Sequence, residues 1–256
     1  MHKVELMKLS QEQVRSFRRR LISTPVKVNK NGDARERAKD SINRDMTALR
    51  AALNHAFDDG KVTTDLAWRK ALSPIEKAGK RRELYLDRGQ RSDFIKHAPD
   101  DLAKFLRGLS LLPLRPGALA ALLVADFESR IGVLKIGVDK HGKDRKIKLP
   151  ANTAEFLKAA VKEKSESAPL LTRADGKAWD KDAWKDRVKL AAEAAGLPAT
   201  TTAYTIRHSV ITDLVHDGLD LLTVAQISGT SVAMIEKHYG HLRADVAATA
   251  LAKLAL

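Results

Sequence analysis

One β-rich stretch interrupts a chain whose apolar residues otherwise recur at helical spacing, and this interruption constrains the fold most. Residues 127–129, 133–138 and 146–149 alternate or are rich in β-branched side chains, with His141-Gly142 in a turn between the last two. They predict a small antiparallel sheet. On its N-terminal side, Ser10 is placed to cap a helix through Val14, Phe17 and Leu21, and residues 26–33 read as a loop after Pro25. Ile42, Met46, Leu49, Leu53 and Ala56 then mark an amphipathic helix that stops at Asp58-Asp-Gly60, and a short helix is expected over 65–72. Asp87 and Asp100 are placed to cap helices reaching about His97 and Leu111, and Pro116 to open one reaching about Val124. After the sheet, helices are expected over 152–164, 180–195, 202–216, 221–227, 232–239 and 243–254. The fold class is therefore mostly α with a small antiparallel β-sheet, an α+β protein.

Charge divides the chain in two. Residues 1–82 carry 20 Lys/Arg against 10 Asp/Glu, whereas residues 83–256 carry 26 against 22. Lys77-Ala-Gly-Lys-Arg-Arg82 is too polar and basic to pack, and reads as a linker between a helical domain, 1–82, and a mixed domain, 83–256. A net charge of +14, concentrated in the front third, suits a polyanionic partner held through phosphate neutralisation and counterion release. With no cysteine, disulfides and thiolate metal sites are excluded; the eight histidines lack zinc-site spacing, so neither metal nor cofactor is expected. No apolar run approaches the roughly 20 residues that span a bilayer, and no signal-peptide pattern opens the chain. The expectation is a cytoplasmic protein associated with the nucleoid, with no membrane partner.

The chemistry-bearing residues come in an ordered set: Arg115, Lys140, Arg207 and Tyr239, the last of only three tyrosines. Phosphoryl transfer from DNA needs a nucleophile, cations on the non-bridging oxygens and an acid for the departing oxygen. Tyr239 can supply the first, because neighbouring cations favour ionisation of a phenol whose ordinary pKa is about 10. Arg115 and Arg207 suit the second, since a guanidinium presents paired donors to two phosphate oxygens. Lys140, on the hairpin, suits the third. Each residue alone is weak evidence: a helical tyrosine is usually a packing anchor, an arginine usually a solvated or ion-paired side chain. The ordered set is what carries weight.

The motifs around these residues resemble those of the tyrosine recombinases, in particular the phage and genomic-island integrases. Leu114-Arg-Pro-Gly-Ala-Leu119, with Val124-Ala-Asp-Phe127 after it, resembles the family's first arginine box and following strand. Lys140-His-Gly-Lys-Asp-Arg-Lys-Ile-Lys-Leu149 resembles the hairpin bearing its lysine, Tyr204-Thr-Ile-Arg-His208 its second box, and Ser228-Gly-Thr230 with Tyr239 its third box and nucleophile. The wording Leu49-Arg-Ala-Ala-Leu-Asn-His-Ala56 also resembles the core-binding domain of that family. The resemblance implies a two-domain DNA-breaking-rejoining fold, closed as a clamp on double-stranded DNA. It implies attack by Tyr239, a 3′-phosphotyrosyl intermediate and rejoining to a 5′-hydroxyl, without ATP or metal, in mobile-element integration or excision. Arg115, Lys140, Tyr204, Arg207, Thr230 and Tyr239 are the candidate catalytic residues. A homotetramer on DNA is implied too, with the helix over 243–254 docking on a neighbour or on its own domain. A monomer without DNA and DNA-bending accessory proteins are compatible with this reading.

The departures fall at three positions. Tyr204 stands where the family most often has histidine, Thr230 where it has histidine or tryptophan, and Ala118 where the first box usually has an acid. Tyr204 and Thr230 retain hydroxyls able to hydrogen-bond a phosphate oxygen or the nucleophile. Two other readings stay open at this point: a catalytically impaired integrase-like DNA-binding protein, favoured by those three positions, and a type IB topoisomerase, disfavoured by the integrase-like wording. His208, about 100° round the helix from Arg207, is expected to pack or make a local hydrogen bond. The N-terminal domain is short for the family, as a truncated or minimal relative would be.

Overall fold

The structure is a computed structural model that describes residues 4–27, 33–79, 83–138, 144–240 and 252. Lys140, the expected turn at His141-Gly142, residues 80–82 of the expected linker and the expected helix over 243–254, apart from Ala252, lie outside the described residues. The chain divides into two compact units, Met1–Arg81 and Arg82–Leu256.

In the first unit, α1 (Gln11–Ser23) starts at a reciprocal cap. The Gln13 N–H donates to the Ser10 Oγ at 3.2 Å, and the Ser10 N–H to the Gln13 Oε1 at 2.9 Å. Residues 26–33 are not wholly loop. Two short strands, β1 (Val26–Lys27) and β2 (Ala34–Arg35), pair antiparallel with Val26 opposite Arg35. Helix α2 (Lys39–Asp58) buries Ile42, Met46 and Leu53 along one face, and Gly60, at φ 70°, takes the left-handed turn that a side chain would resist. Residues 65–72 form irregular turns in place of the expected helix: both Trp68 and Arg69 donate to the Asp65 carbonyl at 3.0 Å. Trp68, Ala71 and Leu72 fall at helical spacing because all three enter the core formed with Val14, Ile42 and Met46. Trp68 settles its buried indole N–H on the Asn54 Oδ1 at 2.8 Å.

The second unit opens with α3 (Arg88–Lys96), capped reciprocally by Asp87 and Gln90, followed by α4 (Asp100–Leu111). Asp100 is inside that helix and Pro99 occupies the cap, so the acid favours the helix through its charge near the positive end and not as a cap. Helix α5 (Pro116–Ala120) ends earlier than its apolar pattern suggests, and the chain enters a 3-10 turn at Val124–Asp126. The sheet follows as expected: β3 (Phe127–Glu128), β4 (Val133–Val138) and β5 (Asp144–Lys148), antiparallel in that order, with Leu134 opposite both Phe127 and Ile147. Then come α6 (Ala151–Val161), α7 (Lys181–Ala194), α8 (Ala203–His216), α9 (Leu221–Ser228) and α10 (Val232–Tyr239).

Two apolar clusters hold this unit together. In the larger, Phe105 stacks on Trp179 and Trp184 at centroid distances of 5.3 and 5.4 Å, with Leu102, Leu106, Leu134 and Ile206 around them. The smaller joins Ile211 and Val215 of α8, Val224 and Ala225 of α9 and Ile235 of α10, and Tyr239 packs against its edge. Helix α8 contributes to both, so one face of it fixes α9 and α10 against the rest. Among the described residues, no helix is long and apolar enough to cross a membrane.

Candidate active site

The turn between α9 and α10 is the centre of the site. Asp220 caps the start of α9, accepting the Thr223 N–H at 2.9 Å. The helix ends at Gly229, whose φ of 67° and ψ of 49° close a left-handed cap. The Thr230 N–H donates to the Ala225 carbonyl at 3.0 Å, and Ser231 caps α10 by accepting the Met234 N–H at 3.3 Å. The reversal leaves the last carbonyls of α9 pointing out of the helix, where the dipole concentrates negative partial charge.

Three arginines from three different elements meet those carbonyls. Arg115, at the N-terminal cap of α5, donates to the Gly229 carbonyl. Arg207, in α8, donates to the Ser228 carbonyl at 2.8 Å and also to the Pro113 carbonyl. Arg145, in β5, donates to the Gln226 carbonyl at 3.2 Å. Its guanidinium carbon lies only 2.6 Å from where a Cβ on residue 229 would stand, so the glycine makes room for the arginine.

Arg207 is the buried member, only 8% exposed. Its pKa is lowered to about 10, chiefly by burial and then by the Arg115 and Arg145 charges, while Tyr239 and Tyr204 act to raise it. The group still carries its full charge at neutral pH. Four side chains thus act electrostatically on Arg207, although their positions in sequence run from 115 to 239.

Tyr239 is the last residue of α10 and is half-buried. Its hydroxyl lies 3.0 Å from the His208 Nδ1, and the two rings are 5.2 Å apart, tilted by 35°. Tyr204, in the first turn of α8, is 42% exposed. Thr230 is half-buried and held by its backbone bond to Ala225. Of the six residues singled out from sequence, Arg115, Arg207, Tyr204 and Tyr239 come together around the α9–α10 turn that carries Thr230; Lys140 lies outside the described residues.

Sequence reasoning missed two residues. Arg145 had a legible signal, because period-two alternation sets it on the same strand face as Ile147 and Leu149, facing inward. His208 had none: its contact with a residue 31 positions later exists only once α9 and α10 have folded back on α8. Among the described residues, no group of three or more His, Asp or Glu is placed to hold a metal ion.

The phage integrase family model matches residues 104–245, the stretch that contains every side chain of this site. The chain belongs to the phage integrase family. No curated protein matches it in sequence. This integrase-family protein is similar in structure to residues 82–397 of the Tn1549 transposon integrase in complex with circular intermediate DNA, with a TM-score of 0.73 and 17% identity over 97% of this chain and 86% of that one. It is also similar to the XerA recombinase, with a TM-score of 0.55 and 17% identity over 99% of this chain and 86% of that one. A lambda integrase dimer bound to a COC′ core site matches with a TM-score of 0.67 and 15% identity, over 93% of this chain and 67% of that one. At such identities the likeness is one of fold.

Proposed function

We propose that the protein is a site-specific DNA recombinase that cuts and rejoins duplex DNA through a 3′-phosphotyrosyl intermediate on Tyr239. The observation that carries this reading is the meeting of Arg115, Arg145 and Arg207 at one helix terminus, with the Tyr239 phenol acting electrostatically on the innermost of them. A phosphodiester placed there would have its non-bridging oxygens bound by planar, charge-assisted donors, which favour the added negative charge of the transition state over the ground state. The Tyr239 oxygen forms a bond to phosphorus as the bond to the 5′-oxygen breaks. The departing oxygen takes a proton from Lys140, and a 5′-hydroxyl later reverses both steps. The covalent link conserves the energy of the phosphodiester, so a second strand can be joined without an external energy source. Tyr204 and Thr230 contribute hydroxyl hydrogen bonds to the phosphate or the nucleophile.

Duplex DNA is the partner this reading requires, consistent with the DNA-bound Tn1549 and lambda integrases, and the basic residues of 1–82 supply much of the non-specific grip. Residues 1–82 act as the DNA-holding domain and 83–256 as the catalytic one, and the working assembly is a homotetramer on two paired sites. The test can start from DNA of any sequence. The protein is incubated with nicked duplexes of randomised sequence, and covalent adducts are recovered after denaturation. The expected result is a protease-sensitive adduct that enriches one sequence over successive rounds and vanishes in Tyr239→Phe. Tight duplex binding with no adduct under any condition would instead support the binding-only reading, which the departures at Ala118, Tyr204 and Thr230 favour.

A further inference from the structure

We propose that His208 is a catalytic residue, the base that takes the phenolic proton of Tyr239 as it attacks phosphorus. The proposal rests on the recombinase reading above and assigns to one residue a step that reading leaves open. The Tyr239 hydroxyl and the His208 Nδ1 lie 3.0 Å apart, within the range in which a nucleophile and its base share a proton.

Both partners are held from several sides. His208 sits between two buried residues of α8: Arg207, which donates to the Ser228 carbonyl at 2.8 Å, and Ser209, which donates to the Thr205 carbonyl at 2.9 Å and accepts the Leu86 N–H at 2.8 Å. Tyr239 follows Ile235 by one turn of α10, and Ile235 is 1% exposed in the cluster that binds α10 to α8 and α9. The tilted contact between the two rings fixes their relative orientation. Packing thus fixes the backbone on both sides of the contact.

Chemistry also favours the assignment. A phenol at 204 and an alcohol at 230 are poor proton acceptors near neutrality, whereas a neutral imidazole titrates close to it. In the cleavage step the Tyr239 O–H proton passes to the His208 Nδ1, giving an imidazolium. The phenolate oxygen bonds to phosphorus, the bond to the 5′-oxygen breaks, and that oxygen takes its proton from the acid assigned to Lys140. Rejoining runs the sequence backwards, and the imidazolium returns its proton to the departing phenol. Acceptance of the phenolic proton at Nδ1 requires the tautomer with hydrogen on Nε2.

The experiment uses the full chain and the nicked duplex recovered by covalent capture. His208→Asn keeps an acceptor near the Nδ1 position but removes the base, and it should slow adduct formation by about 10²- to 10⁴-fold with duplex affinity unchanged. His208→Ala should be slowed similarly and should regain activity in proportion to added free imidazole. Nitrogen-15 spectra of the DNA-free protein should show the His208 Nδ1 unprotonated, with its shift moving in Tyr239→Phe. Wild-type-like cleavage by His208→Asn overturns the proposal while the recombinase reading stands. So does an alanine variant that melts like wild type but ignores imidazole, or a spectrum with the proton on Nδ1. If the wild-type protein forms no adduct at all, the recombinase reading fails and this proposal with it. Should the alanine variant not fold, the asparagine variant and the spectra decide.

Discussion

The two units of this protein use positive charge in opposite ways. In residues 1–82 it is spread: Arg15, Arg19 and Arg20 are exposed along α1, and Arg19 is already paired with Glu12 at 2.6 Å. Such charges are strongly screened and largely interchangeable. In the second unit the overall balance is nearly even, 26 Lys/Arg against 22 Asp/Glu over 83–256, yet three arginines from separate elements meet at one helix end. Spread charge can hold a polyanion in any register. Gathered charge can address one phosphate. Net charge counts the first kind and is blind to the second.

Three variants would break or sharpen that contrast. Arg207→Ala should have the largest effect, because it removes the buried cation and leaves the Ser228 and Pro113 carbonyls without their donor. Adduct formation should fall at least about a thousandfold, and the melting curve should show a loss of about 1–3 kcal/mol; an effect confined to binding would place Arg207 with the spread charges. Gly229→Ala comes next. Its φ of 67° disfavours any side chain, and the new methyl would displace the Arg145 guanidinium. A loss of roughly 1 kcal/mol and a drop in cleavage of about tenfold, at constant duplex affinity, would show that Arg145 matters to the chemistry. The smallest effect belongs to the double change Arg15→Ala and Arg20→Ala. It should weaken duplex binding alike for all sequences and reduce the salt slope by about 0.9 for each phosphate left without its cation. Adduct formation at saturating DNA should not move, and a change there would blur the division between the two units.

What can be read from sequence is whatever depends on neighbours along the chain. The Ser10–Gln13 and Asp87–Gln90 caps are local, four-residue arrangements, and the residue types alone announce them. The sheet announces itself because alternation over 133–138 has no helical counterpart. Residues 65–72 mislead because Trp68, Ala71 and Leu72 satisfy helical spacing over barely one turn, too short a run to distinguish a helix from turns that dip into a core. At the site, Arg115, Arg207 and Tyr239 stand out through the family's motifs. Their convergence on the carbonyls of Ser228 and Gly229 does not, because it is created by the reversal at Gly229 and by the packing of α9 and α10 on α8. The same long-range packing makes the neighbour of Arg207 a neighbour of the hydroxyl at 239, where geometry on a single helix suggests only a bystander.

The reversal at Gly229 has a consequence for how an anion would be received. The end of α9 stands in for a polyanion, gathering guanidinium groups that would otherwise drive each other apart. Each guanidinium is thus held by a carbonyl in advance, and a phosphate entering there would meet donors already gathered instead of having to marshal scattered side chains.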